Sequence, residues 1–211
     1  MTLPGLLIVL SAPSGAGKGA VRAALQKRMP ELRYGVSVTT RPPRPGERDG
    51  TDYRFVDEAS FHQLVAAGAL VEWACVYDHY YGTPREPMES WLEQGIDVIV
   101  EKDIQGAKTL MERYPDAVFI FILPPSLEEL RRRMLRRGTE SPAARNQRLR
   151  SAREELTAVD DYDYCVVNEN VDEAARCVQA IITAEKCRVE RYRKHNHRFW
   201  LKEFELNGGT T

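Results

Sequence analysis

Leu6-Leu7-Ile8-Val9-Leu10-Ser11-Ala12-Pro13-Ser14-Gly15-Ala16-Gly17-Lys18-Gly19-Ala20 is the stretch that decides the fold. Its opening apolar run, Leu6 to Leu10, has no polar interruption. Such a run reads as a strand buried on both faces, as in a parallel sheet. A glycine-rich turn follows, and then Val21, Ala24 and Leu25 at a spacing that shares one helix face. Strand, turn and helix in this order are the setting of a phosphate loop. Small residues let successive backbone N–H groups point inward at a polyphosphate, and the helix N-terminus adds its positive end. Lys18 is then placed to neutralise the outer phosphates. The pattern departs from G-x-x-x-x-G-K-[ST] at both ends. Ala12 replaces the first glycine, Gly19 replaces the hydroxyl that usually meets Mg²⁺, and Ala20 offers no substitute. The competing reading is an ordinary strand-to-helix turn, which leaves Ser14-Gly15-Ala16-Gly17-Lys18 unexplained.

Working outward, Val98 to Val100 and Val118 to Leu123 repeat the buried-strand pattern, and Tyr164 to Val167 is a shorter one. Helical patterns lie between them. Met88, Trp91 and Leu92 share a face before Gly95, and Val178, Ile181 and Ile182 mark a long helix beginning near Asp172. Ser126-Leu127-Glu128-Glu129 has the form of a capping box, and Ser141-Pro142 that of an N-cap with proline in the first helical position. The alternation predicts an α/β fold: a parallel sheet covered on both faces, with ligands at the carboxyl ends of its strands. Two segments interrupt it. Residues 35–85 read as a small mixed insertion, with strands at Tyr53 to Val56 and Ala69 to Tyr77 and one short helix between. Residues 126–155 read as an arginine-rich helical pair able to move as a unit.

The chain has 211 residues, room for one large domain or a core with insertions. Apolar residues at 43% and charged residues at 29% exclude wholesale disorder and fibrous states. Thirty Lys+Arg against 31 Asp+Glu give a net charge of −1, which argues against binding nucleic acid or membrane through bulk charge. The longest apolar run, Ala117 to Leu123, falls far short of the ~20 residues a bilayer needs. The first residues lack the basic region of a signal peptide. Cys75, Cys165, Cys177 and Cys187 form no CxxC pair and are expected as buried small apolar groups in a reducing compartment. His62, His79, His195 and His197 form no ligand constellation. The expectation is a soluble, cytoplasmic protein without a metal site made solely of side chains.

Ser37-Val38-Thr39-Thr40-Arg41-Pro42-Pro43-Arg44-Pro45-Gly46-Glu47, with Gly50, Tyr53, Phe55 and Val56 after it, resembles the nucleotide-monophosphate-binding signature of guanylate kinases. The likeness continues through Val71-Glu72-Trp73-Ala74, Tyr80-Tyr81-Gly82-Thr83, Gln105-Gly106-Ala107 and Ile122-Leu123-Pro124-Pro125-Ser126. It extends to Arg137-Gly138-Thr139-Glu140-Ser141, Tyr162-Asp163-Tyr164 and Val166-Val167-Asn168. It spans nearly the whole chain, in order and with the family's spacing.

The resemblance implies a three-layer P-loop NTPase core (residues 1–34, 86–125 and 156–211), a GMP-binding subdomain (35–85) and a helical lid (126–155). It implies transfer of the γ-phosphoryl group of ATP to GMP, with Mg²⁺ bridging the donor phosphates. ATP would lie on Ala12, Pro13, Ser14, Gly15, Ala16, Gly17, Lys18, Gly19 and Ala20, under Arg133 and Arg137, with Asn168 near the adenine. A strand-end cap is an equally good reading of Asn168. GMP would meet Ser37, Arg41, Arg44, Glu47, Tyr53, Glu72, Tyr81, Thr83 and Asp103. Lys18, Arg44, Arg137 and Arg148 carry the catalytic expectation.

Physical chemistry gives these assignments content. Arg41 and Arg44 flank two prolines that stiffen their loop, and guanidinium forks suit a phosphate dianion. The bland alternative is solvated arginines and core tyrosines. Guanine presents N1–H and N2–H₂ donors that a carboxylate accepts together, whereas adenine presents a bare acceptor at N1. The family places that carboxylate at Glu72, with Ser37 and Thr83 beside the base and Asp103 near the N2 amino group. Glu101 and Asp103 follow a buried strand at period two and so project from one face, with Glu101 expected behind the metal's water shell. Lys102 between them departs from the apolar residue usual there in the family; it either points away and pairs with another carboxylate or perturbs the strand end. Arg145 stands where an apolar lid residue is common. Arg131, Arg132 and Arg136 fan away from the Arg133–Arg137 face and read as solvated. The rival functions are a guanylate-kinase-like module that binds phosphopeptides without catalysis, and a related kinase acting on a phosphorylated sugar. Oligomeric state is not readable.

Overall fold

The computed structural model describes residues 3–76, 78–137, 152 and 155–195. Strand β1 (Leu7–Ser11) is buried along its whole length and lies at the centre of a five-stranded parallel sheet. On one side of it runs β7 (Val98–Lys102) and then β2 (Arg33–Tyr34); on the other, β8 (Val118–Leu123) and then β9 (Tyr164–Val167). The register sets Leu7 opposite Val98 and Ser11 opposite Lys102. The carboxyl ends of β1 and β7 are therefore level, which brings the phosphate-loop segment beside Glu101, Lys102 and Asp103.

Side chains alternate across the sheet and supply two cores. Leu6, Ile8 and Leu10 pack with Val21 and Leu25 of α1 (Lys18–Arg28) and with Val178 and Ile182 of α6 (Val171–Lys186). Leu7 and Val9 pack with Met88 of α3 (Met88–Glu93) and with Ala107 and Leu110 of α4 (Ile104–Arg113). The result is the three-layer α/β arrangement expected from the alternation. Helix α5 (Leu127–Arg137) opens as anticipated, with Ser126 Oγ accepting from Glu129 N–H at 3.0 Å. Helix α6 begins one residue before Asp172, because the Asn170 side chain accepts from the Asp172 and Glu173 amides. A 3₁₀ turn (Thr157–Asp161) leads into β9, and α7 (Val189–His195) ends the described part. Among the described residues no helix is long and apolar enough to cross a membrane.

Residues between β2 and α3 build a second, mixed sheet in the order β4 (Arg54–Phe55), β3 (Val38–Thr39), β6 (His79–Pro84), β5 (Leu70–Val76). Helix α2 (Glu58–Ala66) closes a small core of Val38, Phe61 and Leu70. Strand β6 was not anticipated. Its sequence, His79-Tyr80-Tyr81-Gly82-Thr83-Pro84, lacks an apolar alternation, and it is recruited by antiparallel pairing with β5 and β3. Val71 of β5 is buried in the core of the large sheet, so the second sheet is anchored to the first.

One expectation is corrected. All four cysteines are exposed rather than buried. Cys165 lies on edge strand β9, where Val166 turns inward and Cys165 outward; Cys177 lies opposite the Val178 face of α6. The helix expected at Ser141-Pro142 and the position of Arg145 fall outside the described residues.

Candidate active site

Gly15 (φ 91°) and Gly17 (φ 92°) both adopt the left-handed conformation that a side chain strains. A Cβ on Gly17 would also lie 2.5 Å from Asn168 Nδ2. Gly17 is the N-cap of α1 and offers no side-chain cap, and the first turn holds no acidic residue. The positive end of the helix dipole is therefore not offset by any side chain of the cap or first turn, an arrangement that suits an anion. The turn is held by Ala16, whose N–H bonds Pro13 O at 3.0 Å. Its carbonyl accepts from Asn168 Nδ2 (2.7 Å) and Arg133 Nη1 (3.2 Å). Asn168, expected beside the adenine, thus braces the underside of the loop. Arg133, expected over ATP, spans Glu129, Ala16 O and Asn168 O. Ser14 N–H donates to Glu155 Oε2 at 3.0 Å, so an amide of the loop already holds a carboxylate oxygen. Nothing in the sequence pattern singled out Glu155.

Lys18 reaches from the start of α1 to the end of β7, its Nζ donating to Lys102 O at 2.7 Å. Burial of this ammonium pulls its pKa below 10.5, and the charges of Glu101 and Asp103 restore part of the loss. Glu101 is paired with Arg22 at 2.9 Å. Arg22 also bonds Gln26 and stacks 4.2 Å over the Tyr34 ring. Sequence reading overlooked Arg22; its place four residues after Lys18, on the same helix face, was the available signal. Asp103 leaves the strand and caps α4, accepting from Gly106 N–H at 2.7 Å.

Among the described residues no group of three or more His, Cys, Asp and Glu side chains is placed to hold a metal ion. The donor set at the loop fits a hard cation held mainly by phosphate and water oxygens. A Cβ on Gly19 would lie 3.7 Å and 3.8 Å from the two Glu101 oxygens, in ordinary contact. Gly19→Ser therefore fits without distortion and adds a hydroxyl beside that carboxylate. Its expected result is a lower Mg²⁺ concentration for half-maximal activity; an unchanged Mg²⁺ titration would count against Glu101 facing the metal's water shell.

Ser37, Glu72, Thr83 and Lys102 form a buried polar cluster where the two sheets meet, each no more than 5% exposed. Thr83 Oγ1 donates to Glu72 Oε1, as does Lys102 Nζ at 2.9 Å. Lys102 Nζ also donates to Ser37 Oγ at 2.9 Å. Of the two fates open to Lys102, pairing with a carboxylate is the one realised, and the carboxylate is Glu72.

Across β3 from this cluster, Arg41 is buried among Tyr53 and Phe55, its guanidinium 5.4 Å from the Tyr53 ring centre. Burial disfavours its charge, but hydrogen bonds to Glu47 outweigh that and leave its pKa above the ordinary value. Both Glu47 oxygens accept from Arg41 Nη2 at 2.9 Å, and Oε2 also accepts from Arg44 N–H at 2.8 Å. Glu47 was expected among the GMP contacts. Glu47 thereby ties the Arg41 guanidinium to the loop that carries Arg44. The Arg44 side chain is exposed. Tyr53 packs edge-on against Tyr81, and burial followed by the Glu101 charge pushes its hydroxyl up to about 12, which keeps it a donor. Arg137 ends α5, and Arg148 lies outside the described residues. Arg132 pairs with Glu129 on the surface, as its solvated reading anticipated.

Residues 5–185 match the family model described as guanylate kinase. A guanylate kinase of Caldanaerobacter subterraneus subsp. tengcongensis is 54% identical over 187 residues, covering 89% of this chain and 91% of that protein. One from Symbiobacterium thermophilum is 49% identical, covering 89% of each. The crystal structure of guanylate kinase from Anaplasma phagocytophilum superimposes with a TM-score of 0.76 at 37% identity, covering 90% of each chain.

Proposed function

This chain belongs to the guanylate kinase family, and from that premise we propose that it transfers the γ-phosphoryl group of ATP to GMP, giving ADP and GDP. The observation that carries the proposal is the double attachment of Lys102. Its carbonyl is held by the phosphate-loop lysine, and its ammonium by the carboxylate suited to guanine. A nucleotide triphosphate on the loop and a purine on Glu72 would then lie on either side of one residue. The reading divides the chain into a P-loop core (1–34, 86–125, 156–211), a GMP-binding subdomain (35–85) and a lid (126–155).

The acceptor phosphate is itself a nucleophile, so the protein supplies positioning, charge neutralisation and exclusion of water. Lys18 and the glycine-rich loop that opens α1 orient the donor phosphates. Arg41 and Arg44 with the Tyr53 and Tyr81 hydroxyls hold the acceptor phosphate, while Ser37, Glu72, Thr83 and Asp103 read its base. The reading gives Arg133 and Arg137 the role of a cationic lid over ATP and assigns Arg148 to the transferring phosphoryl group, with Arg137 and Arg148 counted among the catalytic residues. Mg²⁺ would supply charge neutralisation at the donor phosphates, and Glu101 is the residue that would hold its water shell.

An ADP-release assay across GMP, AMP, IMP and ribose 5-phosphate tests the reading. Rapid turnover with GMP and little with AMP or the sugar phosphate is the expected outcome. Silence with every acceptor would favour a non-catalytic binding module, and preference for ribose 5-phosphate a sugar-phosphate kinase.

A further inference from the structure

Lys102, 5% exposed, carries its ammonium at the end of a strand whose first three residues, Val98, Ile99 and Val100, are fully buried. A buried ammonium is costly unless paired and hydrogen-bonded, so its partners define its role. Those partners are Glu72 Oε1 and Ser37 Oγ, and Thr83 occupies the same Glu72 oxygen. Glu72 Oε1 is thereby engaged by two donors, which turns the other oxygen into the carboxylate's working edge. A Cβ on Gly106 would lie 3.0 Å from Glu72 Oε2 and 3.1 Å from Asp103 Oδ1. Two carboxylates from separate elements thus converge on the bare Cα of a glycine. Like charges brought together repel, and the Lys102 ammonium beside them offsets that repulsion.

We propose that Lys102 is a positioning residue for purine selection: its ammonium holds Glu72 and Ser37 so that Glu72 Oε2 and Asp103 together accept the guanine N1–H and N2–H₂ donors. The inference rests on the GMP-binding reading of Glu72. It gives this chain a base pocket in which the reading carboxylate is fixed before substrate arrives, so less ordering is left to binding. It also accounts for a lysine in a strand end where an apolar residue would bury at less cost.

The test is steady-state kinetics of Lys102→Met, Glu72→Gln and the double variant, with Lys102→Gln as a second reading should Lys102→Met fold poorly. Lys102→Met should raise the GMP KM about tenfold or more, with kcat within about twofold and the ATP KM unchanged. IMP lacks the 2-amino group and should suffer less, so the GMP-over-IMP preference falls. In the Glu72→Gln background, Lys102→Met should add less than about twofold, because the group it holds is already altered. A wild-type GMP KM in both Lys102 variants overturns the inference. So does an equal rise for GMP, IMP and ATP, or a full additive effect on top of Glu72→Gln. A Glu72→Gln variant with wild-type GMP KM removes the base-pocket reading itself, and the role of Lys102 with it.

Discussion

Lys18→Met should lower kcat on the order of 10³-fold, the scale seen when a preorganised donor to developing charge is removed. That factor corresponds to about 4 kcal/mol of transition-state stabilisation. Lys18 is the cation that the loop itself contributes, and methionine keeps its apolar stem while removing the charge. The folded core should survive, because Val21 and Leu25 rather than Lys18 pack α1 against the sheet. A melting temperature close to wild type, together with collapsed turnover, separates chemistry from stability. The pH dependence gives an independent check. Desolvation sets the Lys18 pKa below 10.5, so the charged form disappears as pH rises through that lowered value. kcat/KM for ATP, which reports the free enzyme, should therefore decline at a pH below 10.5. The residual activity of Lys18→Met should lack that alkaline limb. Retention of more than a tenth of wild-type kcat would remove Lys18 from the phosphoryl-transfer step.

Glu72→Gln should raise the GMP KM by about 10²–10³-fold while leaving the ATP KM within a small factor. Each buried donor left facing the wrong group costs about 1–3 kcal/mol, and guanine presents two kinds of donor there. Glutamine is the sharper probe than alanine. Its amide oxygen can still accept from Thr83 and Lys102, while its NH₂ confronts the guanine N–H groups. Glu72→Ala would instead strand the Lys102 ammonium in a buried pocket and mix a stability loss of about 3–5 kcal/mol into the result. Equal changes in both Michaelis constants would take Glu72 out of the base pocket.

Much of this protein is legible one residue at a time. The unbroken run from Leu6 to Leu10, followed by a glycine-rich turn and a helical pattern, reads as a strand covered on both faces, and the glycines after it are required by backbone angles that side chains strain. The parallel α/β core, the mixed insertion and the chemical character of each pocket follow from such local rules and from motif order. Strand β6 was not legible, because its polar, tyrosine-rich sequence gains its shape from pairing with β5. Exposure of the cysteines was missed because composition ignores which face of a strand or helix a residue occupies.

Sequence by itself determined the family, the three-layer core and the residue types available to bind phosphate and purine. Tertiary structure alone decided which partner each charged side chain takes. Register between β1 and β7 sets Lys102 level with the phosphate loop, and the second sheet, anchored through Val71, carries Glu72 within 2.9 Å of it. The same three-dimensional closure sets Asn168 against the carbonyl of Ala16 and Glu47 against the guanidinium of Arg41. The physical reason is range. Helix and strand preferences act over a few neighbours along the chain, whereas a buried charge is satisfied only by what packing brings to it through space, here from 30 residues away in sequence.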